Sequence, residues 1–390
     1  MLLTSKHDVY EQMIQITSCQ IFQSTDKIPT QWNSLAKSNL FLSASYLRFL
    51  ENASPANFTN YFIGFYVNDE LEGIALAQKI DLRQVAHFGQ RDSFFKKILR
   101  KFLFKNFSGQ LFIVGNNLMT GSHPIYLRDQ IDPSSALLIL ENLIQSKWGK
   151  QIHLTIWKDI GASFLEYFDV SHISKKLNFR AQPSMILNIS PNWKSLEDYT
   201  QSLVKKYRDQ FKRSRKKGEI FTKKIFDLDD LRKYEEKMHE LYLHVANHAP
   251  FNTFFLPSNH FIELKIQLRE HFFVCAYFLE DELVGFNSVI LNHSIVETYF
   301  LGYEDQVQKE GMLYLNMLYD MLEFGILSSC HTINYGRTAM EIKSSIGAKP
   351  VWFDSYMKHQ NTWINRFLAK FYYLLEPKVE WKERHPYKLN

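Results

Sequence analysis

The hydrophobic pattern is clearest in the second half of the chain. Residues Glu219–Phe226 alternate apolar with polar, as a half-buried strand does. The period then becomes helical, with Leu231, Tyr234, Met238, Leu241 and Val245 on one stripe behind Asp227 or Asp229 as N-cap. Pro257-Ser258 opens another helix that carries Phe261, Leu264 and Leu268 on one face. Three strands follow at Phe272–Leu279, Leu283–Leu291 and Ile295–Tyr303, the first two joined by a tight turn at Glu280-Asp281-Glu282. Gly311–Phe324 is apolar on nearly every side and predicts a buried helix that stops at Gly325. A short strand at Thr332–Tyr335, a short helix and a last strand at Val351–Met357 complete the order β-α-α-β-β-β-α-β-α-β.

The first half repeats this outline. Tyr61–Val67 and Leu71–Gln78 form a hairpin, and Asp69-Glu70-Leu71-x-Gly73 matches Asp281-Glu282-Leu283-x-Gly285 residue for residue. A strand at Leu111–Val114, a helix at Pro133–Ser146 and a strand at Ile152–Trp157 follow, with Met185–Ile189 as the closing strand. The shared order predicts an internal duplication. The expected fold is α/β (α+β), with two tandem domains that each hold a mixed, mostly antiparallel sheet and flanking helices. The expected domains are 1–190, 191–360 and an aromatic, basic tail at 361–390, with the joint at Ser190-Pro191-Asn192-Trp193.

A chain of 390 residues accommodates two such cores. The net charge of +5 is too mild for a dedicated nucleic-acid binder, though local patches remain. Cys19, Cys275 and Cys330 are too few and too far apart for a disulfide framework or a zinc spacing, so reduced thiols in a cytosol are expected. The N-terminus has no signal-peptide pattern. The nearest approach to a membrane span, Gly311–Leu327, is interrupted by Asn316, Asp320 and Glu323. The histidines read as scattered, and neither a metal site nor a covalent nucleophile is expected.

Three stretches carry a family resemblance. One is Leu196–Arg208 running into the basic Phe211–Gly218; the second is Asn334-Tyr335-Gly336-Arg337-Thr338 with Glu341, Lys343, Gly347 and Ala348; the third is Gly115–Gly121. With the repeated strand order, they resemble the GNAT acyltransferase fold in tandem, as in the bacterial Fem-type aminoacyl transferases of peptidoglycan synthesis and the related peptidoglycan biosynthesis or recognition proteins. The resemblance implies a reaction cleft in the second domain, in the V between Ile295–Tyr303 and Thr332–Tyr335. Strand-end groups at Gly302, Asn334, Tyr335 and Gly336 would hold the donor. A following turn of the form Gln or Arg-x-x-Gly-x-Gly or Ala would hold a pyrophosphate at a helix N-terminus. The chain has Gln308-Lys-Glu-Gly311-Met-Leu313, with a leucine where the last small residue belongs. The stretch is either that turn or an ordinary loop and helix start, and the resemblance implies a donor that is acyl-CoA or, as in the Fem branch, aminoacyl-tRNA.

The candidate catalytic residues are Glu297, Tyr299 and Arg337. By the period of two, Glu297, Tyr299, Leu301 and Tyr303 share one face of their strand. Glu297 is a general base for an attacking amine, or else a strand-edge carboxylate in solvent. Tyr299 is the group that returns a proton to the leaving group. Arg337 and Lys343 hold a phosphate or a developing oxyanion, or Arg337 pairs with Glu341 one turn on. Lys205–Lys217 packs eight cations against Asp209 alone, with Leu203, Tyr207 and Phe211 as its inner stripe. It is either a solvated face or a cradle for polyanions such as tRNA, a diphosphate-linked substrate or anionic lipid. Ser93–Lys105 sets aromatics opposite cations, which is either a helix packed onto the domain core or an interfacial helix at a membrane, and Trp363–Leu375 hints at a second.

The resulting expectation is an N-acyltransferase acting on an amine-bearing small molecule or a lipid-linked envelope precursor. It would be cytoplasmic, with a peripheral position at the inner membrane face as the variant. The alternative is a non-catalytic binding protein on a GNAT scaffold that recognises envelope precursors.

Overall fold

The computed structural model describes residues 13–84, 109–121, 125–149, 151–161, 176–249, 252–375 and 380–388. The expected helix at 93–105 lies outside them. The described elements of the first half run β1 (Ser18–Phe22), α1 (Trp32–Leu35), α2 (Ala44–Ala53), β2 (Phe58–Val67), β3 (Glu70–Asp81), β4 (Gln110–Val114), β5 (Ile125–Leu127), α3 (Pro133–Trp148), β6 (Leu154–Ile160) and β7 (Leu177–Phe179). Next come β8 (Ser184–Asn188), α4 (Leu196–Ser202), α5 (Lys205–Gly218), β9 (Thr222–Ile225), α6 (Leu228–Lys233), α7 (Glu235–His248) and α8 (His260–Leu268). The chain ends with β10 (Phe272–Leu279), β11 (Glu282–Asn292), β12 (Ile295–Tyr303), α9 (Asp305–Gly311), α10 (Leu313–Leu327), β13 (Thr332–Asn334), α11 (Met340–Ser345), β14 (Lys349–Val351), β15 (Asp354–His359) and α12 (Thr362–Leu375).

Two compact units emerge: one holds the described residues of 13–181 and 353–375, the other those of 182–352 and 380–388. The sheet of the first runs β1-β2-β3-β4-β6-β15-β7, with β5 also on β3; that of the second runs β9-β10-β11-β12-β13-β8-β14. The two orders match position by position. Neighbours are antiparallel except for one pair in each, β4 with β6 and β12 with β13. This is the expected α/β fold with its mixed, mostly antiparallel sheet written twice.

The matching hairpins show how sequence sets this layout. Asn68-Asp69 and Glu280-Asp281 are two-residue loops with φ of 47° and 67°, and of 49° and 68°. Positive φ at both positions suits the right-handed twist of the flanking strands, and Asn and Asp tolerate it best. A register irregularity falls just before each turn, at Phe65/Tyr66 and at Tyr277/Phe278.

One expectation about the strands is corrected. Met185–Ile189 does not close the first sheet. As β8 it lies in the second sheet, antiparallel to β13 and β14. The expected single strand Val351–Met357 is two strands: β14 stays on β8, and β15 enters the first sheet between β6 and β7. Each sheet thus takes its penultimate strand from the opposite part of the chain. Alternation marks a strand but does not name its neighbour.

The second core packs α10 against the sheet, with Leu315, Leu318, Tyr319, Leu322 and Ile326 buried on Leu187, Val296, Ile333 and Tyr335. Each such side chain contributes roughly 1.5–3 kcal/mol on burial. Gly325 is not the helix stop; α10 runs through it to Leu327. A Cβ there would stand 2.8 Å from Ile189 and 3.1 Å from Ile333, so the glycine lets helix and sheet approach. Cys19, Cys275 and Cys330 are unbridged. Among the described residues, no helix is long and apolar enough to cross a membrane.

Candidate active site in the second unit

Strands β12 and β13 pair over three residues only: Ile295 with Thr332, Val296 with Ile333, and Glu297 with Asn334. Beyond that point β13 ends, while β12 continues to Tyr303 along β11. The pairing from which the expected V would open thus stops at Glu297 and Asn334, which stand opposite each other at its end. Both are buried, at 2% and 5% exposure. Asn334 Oδ1 accepts hydrogen bonds from Ser184 Oγ and, at 3.0 Å, from Gly336 N.

The expectation that Glu297, Tyr299, Leu301 and Tyr303 share one face fails at a β-bulge. Asn287 pairs with Leu301 and Val289 with Thr298, so Tyr299 and Phe300 together oppose Ser288. A bulge reverses the alternation beyond it. Tyr299 and Phe300 both pack against the ring of His260, with centroids 5.8 and 6.2 Å away. Leu301 and Tyr303 instead join the clusters on α10.

Sequence reasoning passed over His260. Its Nε2 shares a hydrogen bond with the Tyr299 hydroxyl at 2.9 Å, and the rings are stacked within 8°. The histidine is fully buried at the first residue of α8. The only signal in the sequence was its place in the turn that follows Pro257-Ser258.

On the other arm, Tyr335 points into the core and donates its hydroxyl to Leu318 O at 2.9 Å. Burial pushes this phenol well above its usual range. Gly336 takes φ 66°, and nothing lies within 4 Å of where a Cβ would be, so the corner is open on that side. Thr338 and Ala339 are also left-handed, at 66° and 46°. Lys343 ties this strained turn down: its Nζ donates to Arg337 O at 2.7 Å and to Gly336 O at 3.4 Å. The ammonium is 4% exposed and, among the described residues, has no carboxylate partner. Burial alone pushes its pKa down to about 7. Arg337 does not pair with Glu341; its Nε donates to Gln182 O at 2.8 Å, and Glu341 is held by Arg384. The left-handed turn before α11 breaks the i,i+4 geometry that the pairing needs.

The other candidates lie apart from this corner. The Gln308 amide bonds to Glu304 O at 2.9 Å inside α9. Gly311 ends α9 against the Phe221 ring, Met312 is left-handed (φ 51°), and Leu313 is fully buried. Asn316 Nδ2 donates to Ser214 O at 2.8 Å and to Gly311 O at 3.1 Å, which locks α5 onto the start of α10. A Cβ on Gly302 would come within 2.5 Å of Leu241 C and 2.6 Å of Tyr242 N, so this glycine seats α7 on β12.

In α5, Arg215 turns inward to Asp320 at 2.5 Å, and Lys223 and the Tyr277 hydroxyl reach the same carboxylate at 2.8 and 2.6 Å. Lys205, Lys206, Lys212, Arg213, Lys216 and Lys217 face solvent. The equivalent corner in the first unit is filled from within. There Lys158 Nζ donates to Asp159 at 2.6 Å and to Met119 O at 2.7 Å, and Gly121 N donates to Asp159 at 3.2 Å. The Gly115–Gly121 stretch is thus a fixed turn, with φ of 146° and 125° at its two glycines. The expectation that the histidines are scattered also needs correcting. His244 and His248 stand four apart on α7, and the fold brings Asp305 of α9 to them.

The chain matches no family model and no curated protein. Solved structures do resemble it. FemX aligns with a TM-score of 0.48 at 11% identity, over 92% of this chain and 100% of that one. A tandem GNAT protein from the clavulanic acid biosynthesis pathway aligns at 0.49 and 8%, over 88% and 99%. L-PGS from Bacillus licheniformis aligns at 0.46 and 15%, over 85% and 94%. With every one of these scores below 0.5, the likenesses decide neither family nor activity.

Proposed function

We propose that the second unit transfers an acyl or aminoacyl group from an activated donor to an amine. The observation that carries this reading is the parting of β12 from β13 just past buried Glu297 and Asn334, with an open corner at Gly336. An amine entering the V attacks the donor carbonyl. Glu297 takes the amine proton, and the Tyr299–His260 pair returns a proton to the leaving group. Holding the two reactants in one cleft contributes more than either proton transfer. Arg337, Asn334 and the Gly336 turn shape the donor side.

The packing around Gln308, Gly311 and Leu313 favours aminoacyl-tRNA over acyl-CoA. Those positions are spent on the α9–α10 junction, where a pyrophosphate would need close backbone approach. The exposed cations of α5 flank the same junction and suit a polyanionic donor. Acceptance of label by a panel of amines and lipid-linked amines, from aminoacyl-tRNA and from acyl-CoAs, tests this. Glu297→Gln is expected to lower transfer by about 10²–10⁴-fold with folding unchanged. Full activity in that variant would sink the catalytic assignment. Transfer from acyl-CoA alone would overturn the choice of donor.

The second reading, a non-catalytic binder of envelope precursors, is favoured by the spent groups at the corner: Lys343 on two carbonyls and Arg337 on a third. Saturable binding of such a precursor with no turnover from any donor would select it. A peripheral membrane position draws support from α12, where Trp363 and Phe367 are 71% and 43% exposed beside Arg366 and Lys370. Loss of flotation with anionic liposomes on Trp363→Ser and Phe367→Ser is the expected outcome; no flotation of the wild-type protein removes the idea.

A further inference from the structure

His244 and His248 are one turn apart on α7 and project from the same face. Asp305, the first residue of α9, brings a carboxylate between them. Its Oδ2 is 3.6 Å from His244 Nε2 and 3.8 Å from His248 Nε2. One ligand atom from each of the three lies within 4.8 Å of the other two. The two helices are also joined by an ion pair, with Lys237 Nζ 3.0 Å from Glu304 Oε1. This fixes the first turn of α9 beside α7 independently of the histidines.

The hydrogen bonding of His248 selects a tautomer. Its Nδ1 lies 2.6 Å from His244 O, a contact that only an N–H at Nδ1 can make. In the neutral ring this leaves the Nε2 lone pair facing Asp305. A backbone carbonyl that accepts the second ring N–H is the usual support of a metal-ligating histidine. The distances fit as well. Around a tetrahedral ion with bonds of ~2.0–2.2 Å, ligand atoms sit about 3.3 Å apart. The two distances to the carboxylate, 3.6 and 3.8 Å, reach that value with shifts of a few tenths of an ångström; the two histidine nitrogens, within 4.8 Å of each other, close on an ion by rotation of their partly exposed side chains.

We propose that His244, His248 and Asp305 form a binding site for a divalent transition-metal ion of the zinc or cobalt type. Two imidazoles and one carboxylate suit such an ion better than magnesium or calcium, which take oxygen ligands. The side chains are 38%, 64% and 53% exposed, so the remaining coordination positions face water and are open to an anionic ligand. The ion would bridge α7, which seats on β12 through Gly302, to the element that directly follows β12. This site is independent of the proposed transfer chemistry.

The test uses the full chain, stripped with chelator and titrated with Co²⁺ alone while visible d–d absorption is recorded. The expected result is a spectrum that saturates at one equivalent and is displaced by Zn²⁺. His248→Ala and Asp305→Asn are each expected to weaken binding by more than about tenfold, the scale set by loss of groups that merely support a ligand. His271→Ala, a partly exposed histidine on another element, is expected to bind as wild type. Metal-free thermal unfolding verifies that the variants fold; because two different ligands are removed separately, failure of one variant leaves the other as the test. Absence of a saturating spectrum, or equal binding by the wild type and a folded ligand variant, overturns the proposal.

Discussion

Replacing Lys343 by methionine keeps the apolar stem and removes a buried ammonium from the Gly336 corner. Its pKa is pushed from 10.5 down to about 7 by burial, so between these values the unfolded chain holds a proton that the native protein has lost. Stability therefore rises with pH across that window. The slope is about 1.4 kcal/mol per pH unit, and the whole interval comes to about 5 kcal/mol. Below about pH 7 both states are protonated and the burial cost is fully present; above 10.5 both are neutral and it is gone. The assay is equilibrium urea unfolding of the wild type and Lys343→Met from pH 6 to 10. Taking the difference between the two proteins cancels every other titrating group. The difference is expected to be flat near pH 6 and to climb in favour of the wild type from about pH 7.5 upward. A flat difference throughout would mean that Lys343 stays charged in the folded protein, with its two carbonyl acceptors offsetting the cost of burial, and would refute the reasoning.

Three further substitutions probe the frame around the site. Gly302→Ala sets a methyl 2.5–2.6 Å from the α7 backbone and is expected to cost about 1–3 kcal/mol, read as a lowered Tm. Gly347→Ala meets both a φ of 102° and the Tyr387 phenol; an added Tyr387→Ala should recover only the steric share of the loss, with the backbone strain remaining. Asp320→Ala strips Arg215, Lys223 and the Tyr277 hydroxyl of their shared carboxylate and is expected to destabilise by about 3 kcal/mol in denaturant titrations.

Local chemistry made much of this fold readable. The hairpin at Asn68-Asp69, and the Asp281 position of the one at Glu280-Asp281, follow from residues that accept positive φ, and α10 follows from a run too apolar to lie on a surface. Asp227 does accept from Asp230 N at 2.8 Å, but it caps only α6; the single helix expected from Leu231 to Val245 is two, parted at Tyr234. The candidate site was legible only in outline. Glu297, Tyr299 and Gly336 were visible as types at a strand end. The bulge at Tyr299-Phe300 was not, because it depends on how many residues β11 offers opposite. The partners that decide what each group does come from far along the chain: His260 for Tyr299, Gln182 for Arg337, Arg384 for Glu341. Lys343 read as an anion holder because the sequence does not say that it donates to two carbonyls at its own corner.

The exchange of β8 and β15 has a consequence for synthesis. The first sheet has β7 by Phe179 but needs β15, which begins at Asp354, to join β7 to β6. At ~5–20 residues per second that strand emerges about 10–35 s later. Until then the edges of β6 and β7 are unpaired while the whole second sheet is still being made. The sheet begun first is therefore the sheet completed last, and a nascent chain halted near residue 350 should expose an open edge that a released chain does not.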